Sequence, residues 1–271
     1  MLSALSAVNS ANIHKSLSMR SFATLLSIAL LSIAAFGQIK KPEPPPVKIP
    51  FAESRQAVVV TTKDWTTTQG VAHLYERSSP MTKWKPKGEK FPVVIGRTGL
   101  AWAQDSAPEK AKQFKAEGDG KSPAGMFPLT FAFGTSMKPE SLTFPYTRLG
   151  PSTECIDDVN SHHYNKIVGR DQVGIFDWKS SEKMLEIGAP YELGVFVAYN
   201  SYPVVKGNGS CIFLHIWKDA TTPTAGCTAM NRFDLERIVS WLEPGHNPYL
   251  VQLPEDEYKS VKKAWNLPDF K

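Results

Sequence analysis

Apolar and polar positions along the chain follow short periods, and most of the predicted elements are strands. Ala57–Thr62 is a β-branched run, Val71–Glu76 alternates loosely, and Phe91–Ile95 is apolar with turn residues on both sides. Further strands are predicted at Met126–Phe131, Lys166–Val168, Leu193–Tyr199, Cys211–Trp217 and Tyr249–Leu253, separated by Gly and Pro clusters. Helical spacing is rarer. Leu235, Ile238, Val239 and Leu242 recur at i, i+3, i+4, i+7 and predict a helix over Arg232–Leu242. Asn231 is a good N-cap for it, Asp234 lies in its first turn, and Pro244–Gly245 stops it. Ser180–Ile187 carries a short apolar face of Met184, Leu185 and Ile187 and reads as a second helix, and Glu255–Trp265 as a third. No repeat of 20–50 residues occurs, which disfavours a solenoid or propeller. The pattern implies one mainly β domain over 56–253, a sandwich or barrel with a few short helices, followed by a C-terminal tail over 254–271 of helical character.

Two segments upstream do not read as domain. Residues 1–37 read as an export leader whose natural start is Met19: Arg20 gives the positive end and Phe22–Phe36 the apolar stretch. Ala35 and Gly37 are small residues before a cleavage at Gln38. The apolar run is short of the roughly 20 residues a spanning helix needs, so no stable membrane span is expected once the leader is cut. An uncleaved anchor is the alternative. Residues 38–55, which include KKPEPPPVKIP at Lys40–Pro50, read as an extended Pro-rich linker.

Composition narrows the class. Of the 271 residues 42% are hydrophobic and 21% charged, as in ordinary globular proteins. The net charge is +5, and loss of Lys15 and Arg20 with the leader leaves +3. That is too mild for nucleic-acid binding. No His-Glu-x-x-His run, paired Cys-x-x-Cys motif or phosphate-cradling Gly loop occurs, so no metal or cofactor is expected. Asp157, Asp158 and Asn160 lack the glycine-centred loop and terminal Glu of a calcium site and read as a turn or as substrate contacts. An exported chain with three cysteines, Cys155, Cys211 and Cys227, implies one disulfide and one free thiol.

The chemistry concentrates in GSCIFLHIWKDATTPTAGCTAMN, Gly209–Asn231. His215 lies on a predicted strand, and Cys227 follows twelve residues later, beyond a loop and before the capped helix. Each residue type alone has a common structural use, His as a hydrogen-bonded strand residue and Cys as a buried one or a disulfide half. Together they make a nucleophile and a base: a thiol is a modest nucleophile until an imidazole takes its proton, and the imidazole can return that proton to a leaving amine. Gly226 lets backbone come close, and N–H groups at Gly226, Cys227 and Thr228 are candidate oxyanion donors. Asp219 is near enough in sequence to orient His215, although a solvated loop carboxylate is the commoner role for such a residue.

This segment resembles the catalytic motif of the YkuD-type L,D-transpeptidase family, with His215, Thr224, Gly226 and Cys227 on the motif positions. Three other stretches agree in order: KSPAGMFPLTFAFG (Lys121–Gly134), CIDDVNSHHYNKIV (Cys155–Val168) and, within Asp177–Asn200, DWKSSEKM and YELGVFVAYN. The likeness spans roughly Lys121–Leu253 and points to a branch with Ala-Gly-Cys. Ala225 replaces the family's common second His, and Ala229 stands where an Arg usually follows the Cys.

The resemblance implies an L,D-transpeptidase-like β-sandwich or barrel and a secreted, monomeric acyltransferase of the periplasm or cell envelope, working in wall biogenesis and cell shape. It would cross-link or remodel peptidoglycan stem peptides through a Cys227 thioester, with His215 as base. The alternatives are an L,D-carboxypeptidase using the same site, a secreted peptidase acting on proteins, and a non-catalytic wall-binding module. Trp217, Thr224, Tyr199 and Asn200 are candidate substrate contacts. Cys155 and Cys211 are the natural disulfide pair, which would leave Cys227 free; two free buried thiols are the alternative. Cys211, Phe213, His215 and Trp217 share one strand parity, so such a bridge would pin the strand that carries the base.

Overall fold

The computed structural model describes residues 50–270. The expected leader and most of the expected linker lie outside the described residues.

β1 (Gln56–Thr62) is buried along its whole length. Val58 and Val60 enter one apolar core while Ala57 and Val59 enter a second on the opposite face. This explains why its sequence is a run rather than an alternation. β1 lies between β2 (Gln69–Glu76), antiparallel to it, and the parallel β13 (Tyr249–Pro254). The other strands are β3 (Lys85–Val94), β4 (Leu100–Trp102), β5 (Ser122–Gly134), β6 (Tyr146–Arg148), β7 (Thr153–Cys155), β8 (Ile167–Gly169), β9 (Glu182–Lys183), β10 (Leu193–Val197), β11 (Phe213–Ile216) and β12 (Thr228–Met230). The main sheet runs β10-β11-β12-β3-β2-β1-β13-β5-β4. Because β10 also pairs with β5, the sheet returns on itself as a barrel. The 13-residue β5 makes this possible: one part pairs with β13 and a later part with β10.

Helix α1 (Arg232–Trp241) forms as its spacing predicts, with the Asn231 side chain accepting from the Asp234 amide. Its Leu235, Ile238 and Val239 complete the inner core. Helix α2 (Glu255–Val261) covers the second core with Tyr258, Leu267 beyond the helix joins it, and Phe51 from the other end of the domain packs there against Trp84 and Tyr249. The residues on either side of 56–253 are therefore part of the packed body.

The helix expected over Ser180–Ile187 does not form. Its backbone is drawn into the small sheet β8-β7-β9, where Glu182 and Lys183 pair with β7. Met184 is buried, but Leu185 and Ile187 are exposed, so the short apolar face was not a packing face. Gly188, at φ 76°, ends any helical run.

Candidate active site

β11 and β12 are parallel neighbours, and the segment between them carries the candidate chemistry. The register sets Leu214 against Thr228 and His215 against Ala229. Continued back one residue, it sets Phe213 beside Cys227, and the Phe213 amide donates to Cys227 Sγ at 3.3 Å. Leu214 and Ile216 point into the inner core, so Phe213, His215 and Cys227 share the other face. Cys227 and His215 are diagonal neighbours across adjacent strands, a Cα separation on the order of 8 Å.

Cys227 is 93% buried, and its Sγ also donates to the Cys211 carbonyl at 3.4 Å. Burial raises its pKa, and nearby Glu182 pushes the same way; the Phe213 amide, Lys115 and the Tyr191 hydroxyl oppose them without winning. The Cys227 side chain is therefore a neutral thiol at rest. His215 Nδ1 lies 2.8 Å from the Ile216 carbonyl. A carbonyl only accepts, so Nδ1 carries the proton and Nε2 presents the lone pair. Burial lowers the His215 pKa, with the Ile216 bond acting against it. The Tyr191 ring packs edge-on against the imidazole, 5.4 Å between centroids, and fixes its plane from the side. The group that orients the histidine is thus a backbone carbonyl. Asp219 instead closes its own loop, accepting from the amides of Thr221 and Thr222 and both their hydroxyls.

Two hydroxyls hold the cysteine backbone. Thr224 Oγ donates to the Cys227 carbonyl at 2.6 Å and accepts from the Gly226 amide at 3.1 Å. Ser122 Oγ donates to the same carbonyl at 3.0 Å and accepts from the Gly96 amide. Thr224 therefore shapes the Cys227 loop, and the Gly226 amide is occupied. Gly226 sits at φ 156°, and a Cβ there would lie 3.0 Å from the Lys121 carbonyl. Thr228 is buried with its hydroxyl on Gln252 Oε1, away from the thiol.

Cys155 and Cys211 form a disulfide, with Cα atoms 6.0 Å apart, and Cys227 is the free cysteine. Cys211 adopts φ 56°, unusual for a non-glycine residue. Asn165 holds it there: Oδ1 accepts from the Cys211 amide, and Nδ2 donates to the carbonyls of Tyr199 and Asn200. Tyr199 is a core residue packed edge-on against Phe127, its hydroxyl on the Asn208 carbonyl. Asn200 closes the 200–209 loop through Val205 and Gly209. Trp217 is half-buried beyond β11. Neither Tyr199, Asn200 nor Trp217 lines the pocket at the thiol.

That pocket, of about 170 Å³, is bounded by Cys227, Gly226, Ala225, Arg97, Asp157 and Glu182, among others. Sequence reasoning missed Ser122, Tyr191, Glu182 and Arg97. Ser122, Glu182 and Tyr191 had a visible signal, their places in the KSPAGMFPLTFAFG, DWKSSEKM and YELGVFVAYN stretches; Arg97 comes from a segment with no motif of its own.

The sequence model of YkuD, the L,D-transpeptidase catalytic domain, matches residues 56–251. The chain belongs to the YkuD family. In this YkuD domain Ala229, where an Arg usually stands, is fully buried against the His215 strand. Among solved structures the domain is similar to the helical cell shape determining protein Pgp2 from Campylobacter jejuni, with a TM-score of 0.38 and 13% identity. The match covers 74% of this chain and 48% of that one, so the chain spans about half the length of Pgp2. Comparison with curated proteins gives no match. Among the described residues no helix is long and apolar enough to cross a membrane.

Proposed function

We propose that the protein is an exported, cysteine-dependent L,D-transpeptidase that acts on peptidoglycan stem peptides in the cell envelope. The observation that carries this reading is the diagonal Cys227–His215 pair on parallel strands, with the imidazole locked by Ile216 in the tautomer that leaves Nε2 free. The thiol proton moves to His215 Nε2 as Sγ bonds to the carbonyl carbon of an L-residue. The Cys227 amide is the donor proposed for the oxyanion, since the Gly226 amide is taken by Thr224. Collapse breaks the C–N bond, and the imidazolium gives its proton to the departing D-amino acid. An acceptor amine then attacks the thioester, its proton passes to His215, and the C–S bond breaks to restore the thiol.

Incubation of the mature domain with purified disaccharide-tetrapeptides tests the proposal, with Cys227→Ala as control. A cross-linked product lost in the variant supports it. A trimmed tripeptide means that water resolves the thioester and the enzyme is a carboxypeptidase. No product, together with no covalent mass gain on Cys227 after exposure to a carbapenem, leaves the wall-binding module as the reading.

A further inference from the structure

The hydroxyl of Tyr191 sits between the thiol and an acid that the proposed chemistry does not use. Its ring is buried and clamped by Phe133, Phe213 and His215 in edge-on contacts, with centroids 5.6, 5.4 and 5.4 Å away. The hydroxyl is thereby aimed at Glu182 Oε2, 2.5 Å away, and lies within hydrogen-bonding range of Cys227. Glu182 is held from its own side: its backbone pairs with Cys155, which is bridged to Cys211. The surroundings of Sγ give this contact its use. In the thiol state Sγ donates to the Cys211 carbonyl and accepts from the Phe213 amide. Once the proton leaves for His215, the Cys211 carbonyl faces a negative sulfur and has nothing to donate. The Tyr191 hydroxyl can donate there, but it has one proton. A charged Glu182 draws that proton to Oε2. A protonated Glu182 instead donates to Tyr191 Oη and leaves the hydroxyl proton to the sulfur.

We propose that Tyr191 is a catalytic residue, donating to the Cys227 sulfur as negative charge gathers on it, and that Glu182 is the positioning residue that permits this only in its protonated form. The inference deepens the transpeptidase reading and rests on it for the choice of Cys227 as nucleophile. Charge supports the assignment. Glu182 meets Asp157, Glu117, Tyr191 and Cys227 from four other segments, and Arg97 and Lys115 line the same pocket. Lys115 is engaged by Asp119 and the Ala116 carbonyl. Burial, followed by the charges of Asp157 and Glu117, pushes Glu182 up to about 7, against the Tyr191 bond. The carboxyl is therefore neutral below that value and becomes charged as pH rises through it. A thiolate beside a charged Glu182 would set two anions together, and Glu182 accordingly raises the Cys227 pKa. Burial lowers the His215 pKa, so a free Nε2 and a neutral Glu182 coexist in a window below about 7.

The test follows acylation of Cys227 against pH in two ways: kcat/KM for D-amino acid release from disaccharide-tetrapeptides, and the rate of carbapenem adduct formation by mass. In the wild type both should fall about tenfold between about pH 6 and 8, the loss of neutral carboxyl across a midpoint of about 7. Glu182→Gln offers Tyr191 Oη an amide donor at every pH, so its rates should stay within about twofold over that span. Tyr191→Phe should lower both rates about tenfold or more at the acid end, the scale of one hydrogen bond to a charged group. General structural damage does not remove an alkaline limb. A wild-type rate that holds or rises across the span, an unchanged alkaline fall in Glu182→Gln, or a Tyr191→Phe rate equal to wild type overturns the assignment and leaves the transpeptidase reading intact. The wild-type profile and Tyr191→Phe decide the matter if Glu182→Gln does not fold. Carbapenem rates that follow the expected profiles without turnover of any stem support the Tyr191–Glu182 pair and overturn the transpeptidase reading. No acylation by either reagent at any pH overturns both.

Discussion

Thr224 provides the sharpest test of how the site is built. Its hydroxyl donates to the Cys227 carbonyl and accepts from the Gly226 amide. Thr224→Val keeps the shape and removes both bonds. Ser122 still holds the carbonyl, so the loop keeps one of its two anchors. Two neutral hydrogen bonds are worth about 1–3 kcal/mol together, and the buried Gly226 amide left without a partner places the expected loss near the top of that range, about 2–3 kcal/mol. Urea unfolding followed by far-UV circular dichroism measures it. The kinetic effect should be separate. Released backbone lets Sγ drift from the line between His215 and the substrate, and displacement on the order of 1 Å can cost roughly a hundredfold in rate. The expected pattern is a large fall in kcat with KM within about twofold, because the hydroxyl bonds the chain and not the ligand. A rise in KM with kcat unchanged would refute this reasoning and return Thr224 to the role of substrate contact.

The Cys155–Cys211 bridge closes a sequence separation of 56 residues, for which chain entropy gives about 4 kcal/mol. A Cys155→Ala, Cys211→Ala double variant should lose stability on that scale in urea and also lose activity, since Cys211 aims its carbonyl at the thiol; full activity in a folded double variant would contradict the second part. The acid limb of kcat/KM reports protonation of His215, whose pKa is lowered by burial, so activity should persist below pH 6.5 and fall only at more acid pH; a limb centred above 6.5 counts against His215 as base. Burial would raise the Glu154 pKa, but bonds from Arg170, Ser181 and Trp178 outweigh it and bring the group from 4.5 to about 2. Its contribution is therefore complete above pH 4.5 and lost as pH falls toward 2, so Glu154→Gln should destabilise at pH 7 and be nearly neutral at pH 2 in thermal melts.

Much of this protein was determined by local sequence. The runs around β1, β11 and β13 name their strands because residues buried on both faces must be apolar. Asn231 and the spacing of Leu235, Ile238 and Val239 name α1, because capping and one apolar stripe suffice for a helix of that length. The cysteine count, read with the expected export, called for one bridge and one free thiol, whereas strand parity could not reach Cys211, which lies before β11 at φ 56°. Cys227 and His215 were legible as candidates because His215 lies on one strand and Cys227 immediately before the next, joined by one loop. Tertiary structure decided the rest. Tyr199, Asn200 and Trp217 lie near the site in sequence, yet packing turned Tyr199 inward, and the backbone bonds of the 200–209 loop consumed Asn200. The helix expected at 180–187 became an edge of the small sheet because β7 offered its backbone partners across a long sequence separation. Arg97, Asp157, Glu182 and Tyr191 reach the thiol from four separate segments. No local period encodes such a meeting; it exists only once the barrel closes and brings their loops to one rim.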